Sequence, residues 1–144
     1  MTVLLVRHAK AGDRDKWEAP DDLRPLTTKG EVQAQALVDL LAGYDIDRVL
    51  SSPYLRCTQT VAPLAAARGL AVEPCDDLAE GEGRAGTGLA RSLLSEPACT
   101  VLCSHGDVVE EVLDALSVAR EQFTRKGATW VLDEAGAHPL DPPG

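Results

Sequence analysis

Four side chains of this sequence have the chemistry of a phosphoryl-handling site: Arg7, His8, Arg56 and His105. Two guanidiniums offer forked donors that match the oxygens of a phosphoryl group. Two imidazoles offer one nucleophile and one donor. A neutral imidazole can attack phosphorus when its other nitrogen is held by an acceptor, which fixes the tautomer. Each residue alone has an ordinary reading as a polar pair after a strand, a helix-surface ion pair or a histidine in a Ser-His-Gly turn. Their joint placement is what a purely structural role explains poorly.

That placement follows from the elements around them. Val3–Val6 is a short apolar run suited to a strand buried on both faces. Thr27 or Thr28 can cap a helix that starts near Lys29, carries Val32, Ala36, Leu37 and Leu40 at helical spacing, and closes at Gly43. Asp47–Leu50 reads as a second strand. Ser51, Ser52 and Pro53 open a second helix that ends at Gly69, with Pro53 at its first position. Leu70–Val72 is a third strand, Cys75–Gly88 a Gly-rich acidic loop, and a short helix follows through Leu93. Thr100–Cys103, Asp107–Leu116 and Thr129–Leu132 read as strand, amphipathic helix and last strand.

Strands separated by helices predict an α/β fold, a three-layer α/β/α sandwich around a mostly parallel sheet. Residues 1–136 form one domain, and 137–144, rich in Pro and Gly, form a flexible tail. In such sheets function gathers at the carboxyl ends of strands. Those ends carry Arg7-His8, Ser51-Ser52 and Ser104-His105, with Arg56 in the first turn of the following helix. The helices after Ser52 and Gly106 would aim their amino ends at the same spot.

Composition narrows the class. At 144 residues and 44% hydrophobic, the chain can bury a real core, and with 3% aromatics that core is Leu, Val and Ala. A net charge of -9 argues against nucleic acid and against an anionic membrane surface. It permits a phosphorylated substrate, because a few arginines can make a local positive pocket. No signal peptide is visible and no apolar run is long enough to span a bilayer, so the expected location is cytoplasmic. Cys57, Cys75, Cys99 and Cys103 form no zinc or redox pair and read as free thiols packed as small hydrophobes. No metal and no cofactor is implied.

The motifs resemble those of the histidine phosphatase (phosphoglycerate-mutase-like) superfamily. Arg7-His8-Ala9 resembles its Arg-His-Gly signature, and Ser51 to Thr60 its Ser-x-x-x-Arg-x-x-Gln-Thr block. Ser104-His105-Gly106 resembles the block with the second histidine. Arg24 to Gly30 and Arg125 to Ala128 are similar to segments of SixA-type phosphohistidine phosphatases. The blocks occur in family order across nearly the whole chain. The resemblance implies a phosphoglycerate-mutase-like fold and His8 as phospho-acceptor. It implies a phosphate pocket of Arg7, Arg56 and His105, with Arg24 either a further donor or a loop anchor.

Two positions depart from the pattern. Ala9 replaces a glycine, and the general acid can be Glu80 or Glu82, with Glu80 fitting the Leu-x-Glu spacing better. The loop from Lys10 to Asp22 is first an exposed loop and second a substrate-reading rim.

The expected partner is a phosphorylated protein histidine, because the short chain lacks insertions that build substrate caps. A small phosphate ester or nucleotide is the rival substrate. A catalytically weak phosphate-binding module is the rival class. An unrelated receiver-like domain would need acids where this chain has Arg7-His8.

Overall fold

The computed structural model describes residues 1–143. Strand β1 (Thr2–Arg7) leads through two single 3-10 turns to helix α1 (Thr28–Leu40). β2 (Arg48–Ser51), α2 (Leu55–Ala67), β3 (Val72–Pro74), α3 (Gly83–Leu94), β4 (Cys99–Ser104), α4 (Gly106–Ala115), β5 (Thr129–Asp133) and β6 (Gly136–Leu140) follow. The sheet order is β3-β2-β4-β1-β5-β6. The first four strands in that order are parallel, and β5 and β6 join antiparallel.

Alternation along the strands builds the two layers. Val3 and Leu5 of β1 face a core shared with Leu102, Ala90 and Leu93 of α3, and Val108, Val112 and Leu113 of α4. Leu4 and Val6 face the opposite core with Val101, Leu37 of α1, and Val61 and Leu64 of α2. Both faces of β1 are therefore dry, as its unbroken apolar run requires.

Several expectations change, each for a local reason. The segment from Ala137 is not simply a tail: Gly136–Leu140 pairs with β5 and extends the sheet by one strand, while Gly144 lies outside the described residues. The two-residue turn Glu134-Ala135 joins β5 to a strand whose Gly136 and Pro139 hide its signal in the sequence. Helix α3 begins at Gly83, inside the stretch expected as loop. Gly86 serves packing there, since a Cβ on it would lie 2.7 Å from Val108 Cγ1. Val32 is 62% exposed, and α1 instead buries Gln33, Ala34 and Leu37.

The second helix starts at Leu55 rather than at Pro53. Ser52 Oγ accepts the Tyr54 N–H at 3.2 Å, which keeps this short bridge out of the helix. The third strand starts at Val72, because Leu70 N–H closes α2 by donating to the Ala65 carbonyl over Gly69 in the left-handed region. Among the described residues no helix is long and apolar enough to cross a membrane.

Candidate active site

Strand register brings the candidate residues level. Arg7 lies opposite Ser104, and Ser51 opposite Cys103. The ladder runs one residue further: His8 N–H donates to the Ser104 carbonyl at 3.0 Å, and Ser52 N–H to Cys103 at 2.9 Å. His8, Ser52 and His105 thus meet at one sheet edge. The rings of His8 and His105 stand edge to face, 5.5 Å apart.

The tautomer of His8 is dictated by its partner. Nδ1 lies 2.8 Å from the Ala9 carbonyl, which can only accept, so Nδ1 carries the proton and Nε2 keeps a free lone pair. Burial pushes the His8 pKa down to about 3, against the Ala9 hydrogen bond, with His105, Arg56 and Arg7 adding repulsion. The ring is therefore a neutral base at pH 7. The Ala9 methyl is buried with Ala11, Leu26 and Ala34, and its N–H donates to Thr60 Oγ1 at 2.9 Å. Alanine thus fills an apolar niche in place of the usual glycine.

His105 is the N-cap residue of α4, and its Nε2 lies 2.8 Å from Ser52 Oγ. Arg56 Nη2 lies 3.5 Å from Nδ1. A guanidinium only donates, so in this arrangement Nδ1 accepts and Nε2 donates to Ser52. Cys57, a core thiol as expected, also places Sγ 3.6 Å from this Nε2.

Arg7 donates from Nη1 to the Thr124 carbonyl at 2.6 Å, and burial lowers its pKa against the attraction of Glu110 and Asp107. Arg56 is fully buried and bonds Asp21 twice, from Nη1 to the backbone carbonyl at 2.9 Å and from Nη2 to Oδ2 at 3.0 Å. Among the described residues, the Nε atoms of both arginines are buried without a partner. A phosphoryl oxygen is the kind of acceptor that such charged donors suit.

These groups border a cavity of about 680 Å³ whose wall includes Arg7, His8, Arg24, Glu80 and His105. Arg56 lies beneath that wall rather than on it. Gly106 and Asp107 also border the cavity, so the amino end of α4 opens on it as expected.

Arg24 anchors its loop at the edge of the cavity. It borders the cavity, while Nε bonds Asp21 Oδ1 at 3.0 Å and Nη1 bonds the Gly12 carbonyl. Glu80 borders the cavity, and Oε1 sits 2.7 Å from Arg14 Nη2 and 3.7 Å from Arg56 Nη2. The Gly81 N–H on Asp107 Oδ2, at 2.8 Å, ties its loop to α4. Glu82 is instead the N-cap position of α3.

The segment after His8 is more than an exposed loop. Lys10 and Arg14 border the cavity, and Asp21 bridges Arg56 and Arg24. Asp21 gave no signal in the sequence, because an acid in a polar loop looks solvated until the fold brings it 35 residues along the chain to Arg56.

Residues 3–96 match the model of the histidine phosphatase superfamily (branch 1), a stretch that holds His8, Arg56 and Glu80. An 8-oxo-(d)GTP phosphatase of Mycolicibacterium smegmatis is 34% identical over 156 residues, covering 99% of this chain and 48% of that protein. This chain therefore spans about half the length of that relative. The phosphohistidine phosphatase SixA of Escherichia coli is 41% identical over 63 residues, covering 42% of this chain and 37% of SixA. The structure of the protein histidine phosphatase SixA complexed with tungstate superposes with a TM-score of 0.80 at 26% identity, covering 97% of this chain and 94% of that one. With the family match covering most of the chain and the fold and strand-end motifs in accord, this chain belongs to the histidine phosphatase superfamily.

Proposed function

We propose that the protein is a metal-independent phosphatase in which His8 Nε2 takes the phosphoryl group and water then releases it. The observation that carries this reading is the neutral His8, fixed by Ala9 with its Nε2 lone pair free, beside two arginines with unpartnered buried Nε donors. Nε2 attacks phosphorus as the bond to the leaving group breaks. Arg7 and Arg56, joined by Arg24, stabilise charge on the equatorial oxygens, and His105 joins them in the tautomer that carries its proton on Nδ1. Glu80 stands at the cavity wall as the donor to the leaving group, and then as the base for the attacking water.

Two substrate classes fit this chemistry. A protein phosphohistidine is supported by the likeness to SixA and by a chain without cap-building insertions. A nucleotide or small phosphate ester is supported by the Mycolicibacterium relative, matched along 99% of this chain. The test is turnover of p-nitrophenyl phosphate and of phosphohistidine, with and without chelator. Wild-type protein turns over in both conditions, and His8→Ala is inactive with an unchanged melting temperature. An active, folded His8→Ala would remove His8 from the reaction.

A further inference from the structure

The cavity carries a second set of cations that the phosphoryl pocket does not use. Lys10 and Lys126 both border it, and among the described residues neither has an ion pair or side-chain hydrogen bond. Their backbones are pinned to the His8 segment from two sides. Gly127 N–H donates to the carbonyls of Arg7 and His8 at 3.0 Å each. The Lys10 N–H donates to Gln33 Oε1 at 3.0 Å, and the Lys10 carbonyl accepts the Thr27 N–H at 2.9 Å.

Gln33, buried on α1, sits between the two. A Cβ on Gly127 would contact its amide at 3.4 Å, and the φ of +84° at Gly127 sets the turn that follows Lys126. Backbone hydrogen bonds at Lys10 and at Gly127 thus hold both lysines near the His8 segment. Burial and the charges of Arg7, Arg24, Lys10 and Arg14 all disfavour the Lys126 ammonium. Asp13, Glu80 and Asp107 border the same cavity, yet among the described residues none of them forms an ion pair with either lysine.

We propose that Lys10 and Lys126 form a subsite for a second phosphoryl group next to the one transferred, so that the substrate is a diphosphate monoester. This rests on the reading of His8 as nucleophile. In the first step Nε2 bonds to the terminal phosphorus, the bond to the bridging oxygen breaks, and that oxygen leaves with its electron pair on a phosphate monoester. In the second step water adds to phosphorus, the P–N bond breaks, and inorganic phosphate and neutral His8 are released with one proton passed to solvent.

The acid's surroundings agree. Glu80 Oε1 is engaged by Arg14 Nη2 at 2.7 Å, so that oxygen is not free to hand a proton to a leaving group. An alkoxide leaving group needs that proton, whereas a phosphate monoester, with a second pKa of about 6, leaves with little help. The two ammoniums would bind the charge that collects on it.

The test compares inorganic phosphate with methylenediphosphonate as competitive inhibitors, and adenosine diphosphate with adenosine monophosphate as substrates. The diphosphonate should bind at least about tenfold tighter than phosphate, the gain from one charge-assisted hydrogen bond. Lys10→Gln with Lys126→Gln should erase that preference, and should cut the kcat/KM ratio of diphosphate to monophosphate by a similar factor. Equal inhibition by the two anions, or ratios that the double variant leaves unchanged, overturns the subsite even if His8 is phosphorylated. A lysine-dependent diphosphonate preference in a protein whose His8 never takes label keeps the subsite and overturns the nucleophile.

Discussion

At the scale of single residues, the account turns on the protonation of one imidazole. With its pKa depressed from 6.5 to about 3, folded His8 binds fewer protons than the unfolded chain throughout that interval. The stability that depends on neutral His8 is complete above pH 6.5 and is lost as pH falls toward 3. In a histidine NMR titration, the signal missing from His8→Ala keeps its Nδ1–H tautomer at pH 5. An imidazolium there at pH 6 would contradict the burial argument. For Glu80, substitution by Gln slows hydrolysis of an alkyl phosphate about 100-fold, the lower range for a general acid. It slows phosphohistidine far less, because imidazole is the better leaving group once protonated. Equal slowing of both would remove the leaving-group distinction.

The residues were legible to unequal degrees. His8 and His105 could be found because each directly follows a buried strand, where topology sends function. Arg56 was found as a residue, but its burial beneath the cavity wall and its two bonds to Asp21 were not. Those depend on how the loop after His8 folds back, which no local pattern encodes.

At the scale of elements, the glycines of α3 show where sequence reading failed. A run with Gly81, Gly83, Gly86 and Gly88 reads as loop, because glycine disfavours helix. Packing overrides that propensity where the helix must approach α4. The two glycines therefore respond oppositely to alanine. A Cβ at Gly88 meets nothing within 4 Å, so Gly88→Ala gains about 0.5–1 kcal/mol of helix propensity. At Gly86 the Cβ is 2.7 Å from Val108 and 3.2 Å from the Asp77 carbonyl, so Gly86→Ala costs about 1–3 kcal/mol despite that gain. Chemical denaturation of the two variants measures both signs. Stabilisation by Gly86→Ala would mean that α3 stands off from α4.

At the scale of the whole molecule, the acidic surface and the basic cavity are in opposition. The chain carries 23 acids against 14 Lys and Arg, while the cavity wall gathers Arg7, Lys10, Arg14, Arg24 and Lys126 against Asp13, Glu80 and Asp107. An anion is repelled at long range and attracted at the mouth, and salt weakens both. Because the local field decides binding, the KM for a phosphate ester should rise with ionic strength. A KM that falls would mean that the net charge dominates.

The molecule's far edge is also changed by the structure. β6 covers β5, the neighbour of the strand that leads into His8. A chain ending at residue 135 should expose that edge and aggregate more readily, as size-exclusion chromatography would show. Retained monodispersity would make the strand dispensable.

The central claim is phosphoryl capture by His8, and the most direct measurement traps the intermediate. The protein is mixed with a labelled phosphodonor, quenched at alkaline pH, where phosphohistidine survives, and digested for mass spectrometry. The account predicts one phosphoryl group on the peptide that contains Arg7-His8-Ala9, carried on Nε2 of the ring and absent from His8→Ala. Label on another residue, or turnover with no phosphoprotein at any time of quenching, would contradict it.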